Sequence, residues 1–596
     1  MPNIALVLSG AVSLGSWEAG VLDELLGQLD RLNRDRETQD HFKIDVITGA
    51  SAGALTAAMV GRAVMLDPDA QRSLRKAWVD EIDITRLLEG IPANALLSKR
   101  PISDIAEPYL ATPAQANPSS MAPPRLLMRF ALSNISGVDY TLSRSTRPGA
   151  PNPDFLSTVH TERREFELND TNRLESATWV EIREAAIASG NFPFAFAPHE
   201  LPSDEEPWMG HSLNPFPDKF TYIDGGLFNN EPLGEAVRLA RKLDGTPERP
   251  GLDLTRKFLL VDANLNGSKR DPNFSKDSTL PETVLRTLVV LLSESSALDW
   301  LKAQRFNNEV GWRDDFLEAL AGLVKDTDVV DPQAFLDTLE AAADRIVDQK
   351  RDLFPGLYSA DYRQQGVART LSTFNHFTED MADDRTTIFG TLAFLLNSVS
   401  GLDKKGRLDL HVIYATPDQT AGDRVRSFAG FFSHGWRLHD YKVGRRTALA
   451  ELPWILEGQD AAYDRDPAVE YDSPDLGDVD MDSAPREPRE RLRDAVLEKV
   501  EELAKGLTLG PQWTHWADRA MVLEEGGEIE VERPTRALDE RGLYSLAVAS
   551  PAKYSRICAM RSSAPGQSAA TSSTFLRRPG CPRPSRTSSI MWFTLQ

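Results

Sequence analysis

The chain has 596 residues, with 67 Lys and Arg against 89 Asp and Glu, which gives a formal net charge of −22. A polyanion of this size repels nucleic-acid phosphates and anionic lipid headgroups unless its basic residues cluster locally, so we expect no nucleic-acid partner. The length exceeds what one hydrophobic core usually supports, and we therefore expect two or more folded units.

The end of the chain carries a net positive charge and contains both cysteines. Residues 551–596 contain seven Lys and Arg, no Asp or Glu, and both cysteines, Cys558 and Cys581. The residues before this tail are therefore more acidic than the whole chain and have neither a disulfide nor a Cys metal site, as is typical of a reducing compartment. Disorder is the plain interpretation of the tail, and a shifted reading frame is the alternative hypothesis.

Two apolar stretches raise the question of a membrane or a signal peptide. The start, 4–8, indicates a buried strand, because no Lys or Arg precedes it and Ser9-Gly10 interrupts it. The stretch 386–402 contains Asn397 and is shorter than the roughly 20 apolar residues that a span needs. We expect a cytoplasmic protein whose contact with a membrane, if any, is peripheral and transient.

The first sixty residues predict a strand, loop, helix, strand, turn and helix. The run 4–8 has strand length, and apolar residues at helical spacing predict a helix over 16–34. A second strand is predicted over 42–47, followed by an Ala-rich helix over 54–64. Such a βαβ start implies a parallel sheet covered by helices.

The pattern weakens over 102–172, which we interpret as an insertion or cap with one strand candidate at 126–132. Further elements follow from periodicity: helices over 179–189, 282–324 and 332–348, and strands over 220–223, 258–261 and 408–415.

The domain organisation follows from these elements and from composition. The segment 460–482 is strongly acidic and typical of a solvated linker; the closing Glu of a calcium loop is missing. The predicted units are a catalytic core (1–265), a helical region with a strand that completes the body (266–458), an acidic linker or loop (459–484), a helical segment (485–549) and a basic, disordered tail (550–596).

The motif Gly49-x-Ser51-x-Gly53 lies between a predicted strand and a predicted helix. A nucleophile elbow requires that position, because a strained turn lifts the Ser hydroxyl above the sheet edge and the helix points its positive N-terminus at the site. The alternative is a small-residue turn that only packs a helix against a strand.

The loop from Gly10 to Gly15 leaves the first strand and opens the first helix, so its backbone N–H groups could form an oxyanion hole. The competing interpretation is a dinucleotide-binding loop. The middle glycine of GxGxxG is missing and no acidic residue ends a following strand, which disfavours a nucleotide.

Asp224-Gly225-Gly226 follows the strand 220–223 and offers a base for the serine. An Asp at the end of a parallel strand projects into the same crevice as the elbow; an Asx turn is the alternative. A conventional α/β-hydrolase would have several strands before the elbow and a His after the Asp. Here the elbow follows the second strand, which argues against that fold.

Together the three motifs resemble the patatin-like phospholipase family, over roughly residues 4–265. A later resemblance, to the C-terminal region of bacterial patatin-related proteins, extends to about 450. The matching stretches are LSG at 8–10 with Gly15 and GVL at 20–22, GASAGAL at 49–55, AAIAS at 185–189 running into Phe192-Pro193, YIDGGLFNNEP at 222–232, Phe431-Phe432, WRLHDY at 436–441 and Gly444-Arg445.

The resemblance implies a three-layer α/β/α sandwich around a mainly parallel sheet, with helical additions. It implies a lipid acyl hydrolase of the phospholipase A or lysophospholipase type that forms an acyl-enzyme and needs neither metal nor cofactor. Its site residues would be Ser51 as nucleophile, Asp224 as base, Gly10, Ala11, Val12 and Ala52 as oxyanion donors, and Gly49, Gly53, Gly225 and Gly226 as supports of the two turns.

The sequence departs from the family's Gly-Gly-Gly-x-Arg-Gly loop. Ala11 and Val12 replace two glycines, and Leu14 stands at the position of the cation. The N–H groups persist at Ala11 and Val12 if φ stays negative, whereas one stabiliser of an anionic oxygen or phosphate is lost.

Two other functions are therefore considered beside hydrolysis of a lipid or other acyl ester: acyl transfer to an alcohol, and a catalytically silent lipid-binding or scaffold protein. The oligomeric state is not predicted. Four aromatic residues near the site either line an acyl-chain channel or belong to the core. Four aromatic or charged residues further along the chain are interpreted as structural. The first set is Phe192, Phe194, Phe196 and Trp208, and the second is Trp436, Arg437, Asp440 and Tyr441.

Overall fold

The fold is known from a computed structural model of the chain. It describes residues 3–142, 155–203, 217–245, 255–263, 298–326, 331–353, 361–400, 407–416, 419–424, 428–458 and 485–506, with short pieces between these ranges. All of them lie in one compact unit, residues 1–523. The expected tail and most of the acidic segment lie outside the described residues.

The centre of the molecule is a sheet of eight strands. They are β1 (Asn3–Leu8), β2 (Lys43–Gly49), β3 (Arg125–Leu142), β4 (Phe155–Asn169), β5 (His199–Pro202), β6 (Lys219–Ile223), β7 (Lys257–Asp262) and β8 (Asp409–Tyr414). Their order is β5-β6-β3-β2-β1-β7-β8, and β4 pairs with β3 outside this path. The five strands from β3 to β8 along this path are parallel, whereas β4, β5 and β6 pair antiparallel.

Fifteen α-helical segments, several of only one turn, surround the sheet in the described part of the chain. They are α1 (Gly15–Arg34), α2 (Ala52–Met65), α3 (Arg72–Arg75), α4 (Ile84–Leu87), α5 (Arg100–Tyr109), α6 (Ser176–Ser189), α7 (Leu233–Asp244), α8 (Leu298–Asp326), α9 (Pro332–Leu353), α10 (Tyr362–Thr373), α11 (Asn375–Thr378), α12 (Asp383–Ser400), α13 (Ala421–Arg424), α14 (His434–Glu457) and α15 (Arg486–Gly506).

Helices cover both faces of the sheet, as the fold expectation required. Leu6 and its neighbours on one face pack against α1, α2, α6 and α14. On the other face, Val7 and Phe258 pack against α7 and the start of α8. Alternate residues of the central strands are thus buried on opposite sides, which explains why these strands are continuous apolar runs in the sequence. The fold is a mixed α/β fold around a mostly parallel sheet.

The expectation that 102–172 forms an insertion or cap is wrong for most of that range. The strands β3 and β4 belong to the central sheet, where β3 lies between β2 and β6. The predicted strand 126–132 is only the first part of β3, whose later residues Ser133 and Asn134 pair with β6. Because these later residues are polar, the apolar run that marks a central strand ends halfway along it.

The C-terminal helix α14 packs directly against α1. A Cβ atom added to Gly20 would lie 2.0 Å from the carbonyl oxygen of Tyr441, and one added to Gly444 would lie 2.1 Å from that of Trp17. Beside this crossing, Arg445 Nη2 lies 2.7 Å from Glu24 Oε2 in the interior. The two helices approach so closely because neither has a side chain at the crossing.

Helices α8, α9, α10 and α12 form a separate cluster with its own buried residues, among them Leu317, Phe389 and Phe394. The stretch considered as a membrane candidate belongs to α12, which packs within this cluster. In the described part of the chain, no helix is long and apolar enough to cross a membrane.

We expect Gly20→Ala to lower the melting temperature, because the added methyl group cannot fit against the Tyr441 carbonyl. Overpacking of this kind costs about 1–3 kcal/mol. Gly322→Ala in α8 is the matched control, since a Cβ there meets nothing within 4 Å, and a helical Gly→Ala change stabilises by up to about 1 kcal/mol. Differential scanning calorimetry on both variants measures the contrast; equal melting temperatures would contradict a tight crossing.

Candidate active site

Ser51 occupies the turn between β2 and α2, as an elbow requires. Its backbone is strained, with φ 52° and ψ −126°. Neighbouring glycines allow this turn: a Cβ at Gly49 would lie 2.6 Å from the Gly53 carbonyl oxygen, and one at Gly53 would lie 2.4 Å from that of Ser9. A non-glycine residue with positive φ costs about 1–3 kcal/mol and is typical of functional sites.

Asp224 meets Ser51 at the carboxyl end of β2. The Ser51 hydroxyl donates to Asp224 Oδ2 over 2.6 Å, and the Gly226 N–H donates to Oδ1 over 2.7 Å. The Asp224 N–H donates to the carbonyl of Asn191 over 2.8 Å. The carboxylate is therefore held at both oxygens and through its own backbone.

The route by which Asp224 reaches Ser51 differs from the sequence expectation. We expected Asp224 at the end of a parallel strand, but β6 runs antiparallel to β3. The last pair of β3 with β2 is Phe130 with Gly49, and β3 continues beyond it to pair Ser133 with Ile223. Because β3 extends past β2, the end of β6 comes down onto the elbow from the opposite direction.

The pair is almost completely buried. Asp224 is 1% exposed and Ser51 is 7% exposed. Burial raises the pKa of Asp224 to about 6, against the lowering effects of the hydrogen bonds from Ser51 and Gly226. A carboxyl group with this pKa can both accept and return a proton near neutral pH.

The glycine loop lies against the same pair, but its donors differ from the prediction. The Gly10 N–H donates to the Asn230 carbonyl over 3.2 Å, so Gly10 is corrected from an oxyanion donor to an anchor of the loop. A Cβ at Gly10 would lie 3.0 Å from the Ser51 Cβ. Ala52 is the first residue of α2, and N–H groups in a first helical turn have no intrahelical acceptor.

Val12 and Leu14 show what the departures from the family loop do. The φ of Val12 is 51°, which overturns the condition that this angle stays negative. A β-branched residue in that region is strained. Leu14, at the family's cation position, is fully buried, and its side chain fills the space where a Cβ of Gly422 would lie, 2.8 Å away. Apolar packing in the protein interior therefore stands where the family's loop has a charge.

A pocket with about 790 Å³ of empty space, part of it open to solvent, adjoins Ser51. Ser51 is its polar side chain, and the other lining residues are apolar. They come from α2, from the π-helical turn Lys76–Glu81, from α5, and from the segments around Phe192 and Phe428. Such a lining favours a hydrocarbon chain over a polar ligand.

One wall of this pocket comes from the C-terminal part of the chain. The turn Phe428–Phe432 contributes two of its rings, Phe428 and Phe431. The Phe428 ring lies 6.2 Å from that of Phe192. This contact could not be predicted, because the two residues are more than 230 positions apart and no local pattern around either one indicates the other.

Buried side chains of α14 hold this C-terminal wall in place. Arg437 donates to the carbonyls of Phe431 over 2.8 Å and Val79 over 3.1 Å. Asp440 accepts from the N–H groups of Ala421 and Gly422. These contacts agree with the structural role predicted for Arg437 and Asp440.

The aromatic residues predicted to form a channel or a core divide in the structure. Phe192 and Phe196 line the pocket. Phe194 is 64% exposed and has a positive φ of 68°, so it belongs to neither. Trp208 lies outside the described residues.

Two polar residues beside the pair had no role assigned from the sequence, although both stand in its motifs. The Ser189 hydroxyl accepts from the Ser51 N–H over 2.9 Å. The Asn230 side chain fills the space between two glycines, since Cβ atoms at Gly10 and Gly226 would lie 2.1 and 2.4 Å from its Oδ1. Only the fold could reveal these roles, because the contacts join distant parts of the chain.

A carboxyl group near the glycine loop lies in an environment that disfavours its charged form. Glu18 is fully buried, and within the described residues neither of its carboxyl oxygens has a hydrogen-bond partner. Burial, together with the nearby Asp262, raises the pKa of Glu18 well above its usual value. Among the residues that the structure describes, no three or more His, Cys, Asp or Glu side chains are grouped to hold a metal ion.

Comparison with known proteins agrees with the fold. Residues 6–237 match the family model of patatin-like phospholipases. An uncharacterized protein of Sinorhizobium fredii (strain NBRC 101917 / NGR234), y4iI, is 23% identical over 335 residues, which cover 42% of this chain and 46% of that protein. The match thus spans less than half the length of this relative, whose name states no activity.

The fold and the buried Ser–Asp pair define an α/β protein with a Ser-bearing turn at the carboxyl end of a central strand in a mostly parallel sheet. With this match, residues 6–237 carry a patatin-like phospholipase domain, and the patatin-like proteins are a family of lipid acyl hydrolases.

Proposed function

We propose that this protein hydrolyses carboxylic esters of lipids, as a phospholipase A or lysophospholipase, with Ser51 as nucleophile and Asp224 as base. The observation that carries the proposal is the 2.6 Å hydrogen bond from the Ser51 hydroxyl to Asp224. It joins a nucleophile to a base within the reach that such catalysis needs. The apolar pocket beside it supports a substrate with an acyl chain.

In the first step, Ser51 Oγ forms a bond to the ester carbonyl carbon and its proton passes to Asp224 Oδ2. The tetrahedral intermediate then collapses, and its C–O bond to the alcohol breaks. Asp224 returns the proton to the departing alcohol, which leaves an acyl group on Ser51. Water then attacks the acyl carbon and gives a proton to Asp224. The bond from that carbon to Ser51 Oγ breaks, Asp224 returns the proton to Ser51 Oγ, and the fatty acid leaves.

The negative charge on the carbonyl oxygen needs donors that are already oriented. We assign this role to the N–H groups of Ala11, Val12 and Ala52, without Gly10, whose N–H is engaged with Asn230. The helix that starts at Ala52 supports this assignment, and Val12 and Ala52 both line the pocket beside Ser51. Strain at Val12 would be the cost of aiming one N–H group.

The acyl chain would lie in the apolar pocket, and the alcohol portion would face solvent. An acidic protein gains little from electrostatic attraction to anionic membranes. We therefore propose that apolar contact near Ser51 captures the substrate, and that any membrane contact is transient.

The Ser–Asp mechanism is tested with Ser51→Ala and Asp224→Asn. We expect loss of ester hydrolysis in both, by about 10²- to 10⁴-fold in kcat for the base. Turnover of p-nitrophenyl butyrate measures ester cleavage, and labelling by a fluorophosphonate probe separates an active serine from a catalytically silent protein. Product analysis with added glycerol separates acyl transfer from hydrolysis. Ser398→Ala, which removes a buried hydroxyl with no partner in the described contacts, should keep full activity. Unchanged rates in either site variant would refute the mechanism.

The pH dependence of kcat/KM should report the pKa of Asp224. The base must be a carboxylate, and burial raises its pKa to about 6, so activity should rise tenfold per pH unit below about 6 and level off above it. Initial rates from pH 4.5 to 8, with recovery after each incubation as a control for unfolding, test this. An apparent pKa near about 4, the usual value of an Asp side chain, in the acidic limb of kcat/KM would contradict the role of the buried Asp224 as base.

Phe428→Ala should change the preference for acyl length. A dodecanoyl chain contacts the far walls of the pocket and a butyryl chain reaches few of them, and each methylene that loses contact costs about 0.8 kcal/mol. We expect kcat/KM to fall about 5- to 15-fold for p-nitrophenyl dodecanoate and to stay within about twofold for the butyrate. Phe316→Ala, at an exposed ring on α8, is the control. An unchanged ratio between the two esters would exclude Phe428 from the acyl site.

A further inference from the structure

Ser189 is the last residue of α6, and its side chain is fully buried. Its hydroxyl accepts from the Ser51 N–H over 2.9 Å and donates to the carbonyl of Ala131 over 2.7 Å. A single hydroxyl group thus links the turn that carries Ser51 to strand β3.

The Ser51 N–H has a particular need for this acceptor. Ser51 is the residue before α2, so the helix offers its N–H no acceptor. Its φ of 52° is held only by its surroundings. A buried N–H without an acceptor is unfavourable, and the hydrogen bond to Ser189 removes that cost in the strained conformation observed.

The same hydroxyl touches the turn that carries the second member of the pair. A Cβ at Gly225 would lie 2.9 Å from Ser189 Oγ and 1.9 Å from the Ala131 carbonyl oxygen. Gly225, which follows Asp224, therefore lies against both atoms of the hydrogen bond from the Ser189 hydroxyl to the Ala131 carbonyl. A shift of the Ser189 hydroxyl would therefore disturb both the turn of Ser51 and the turn of Asp224.

We propose that Ser189 is a positioning residue for the reaction: its hydroxyl fixes the strained backbone of Ser51 against β3 and so sets the distance from Ser51 Oγ to Asp224. The inference rests on the proposed Ser–Asp mechanism. Ser189 is not among the residues that line the pocket, so its effect passes through Ser51 and not through the substrate.

The test compares Ser189→Ala with the wild type, using p-nitrophenyl butyrate well below the melting temperature of each. We expect kcat to fall about 10- to 100-fold, the change that corresponds to one buried N–H left without an acceptor, while KM stays within about twofold. The rate of labelling by a fluorophosphonate should fall with kcat. Circular dichroism and the melting temperature give the folded fraction.

The pH profile separates positioning from a purely structural role. The hydrogen bond from Ser51 lowers the pKa of Asp224, so a displaced Ser51 hydroxyl should move the acidic limb of kcat/KM to higher pH. A structural role alone would lower the folded fraction and leave this limb where it is. Ser133→Ala is the matched control: it removes a fully buried hydroxyl from neighbouring β3 that has no partner in the described contacts.

If Ser189→Ala does not fold, Ser189→Cys gives the answer, because a thiol has nearly the same volume and is a weak acceptor. A reduced kcat with unchanged KM and a raised limb supports the proposal. A wild-type kcat and limb in the variant that folds, or a loss that matches the folded fraction, overturns it. Activity that survives in Ser51→Ala would instead refute the Ser–Asp mechanism itself, so the two failures are distinguishable.

Discussion

The Ser51–Asp224 hydrogen bond depends on one strand that is longer than its neighbour. The strand β3 pairs with β2 as far as Gly49 and then continues, so that its next residues pair with the incoming β6. The strands β2 and β6 run in opposite directions, and both therefore end beside Ser51. Without the extension of β3, Asp224 would have no neighbouring strand to bring it to the elbow.

A second constraint, the crossing of α1 and α14, brings the C-terminal region to the glycine loop. Gly20 and Gly444 allow backbone to meet backbone there. From this crossing, Arg437 and Asp440 reach the turns that lie behind Ser13 and Leu14. The family match ends at residue 237, yet the loop beside the elbow is packed from the other side by residues beyond 420.

Much of the fold could be predicted from local patterns. The parallel strands at 3–8, 43–49 and 257–262 are buried on both faces and so appear as apolar runs, and GxSxG between strand and helix marked Ser51. The second half of β3 could not be recognised, because the polar residues Ser133 and Asn134 end the apolar run halfway along the strand. The resemblance supplied the pairing of Ser51 with Asp224 across 173 positions, but the sequence alone could not show that β6 would run antiparallel, that Asn230 would occupy the Gly10 N–H, or that Phe428 would face Phe192.

The pocket wall at Phe428 and Phe431 belongs to a different stretch of chain from the Ser51–Asp224 pair. One wall of the cavity is thus encoded by a different length of sequence from the Ser51–Asp224 pair, and the packing of α14 on α1 joins the two. Substitutions at 428–432 can accumulate without touching either turn that carries the reacting groups. Relatives that share the N-terminal motifs can therefore differ in the shape of the pocket beside Ser51, and comparison of the motifs alone would not reveal that difference.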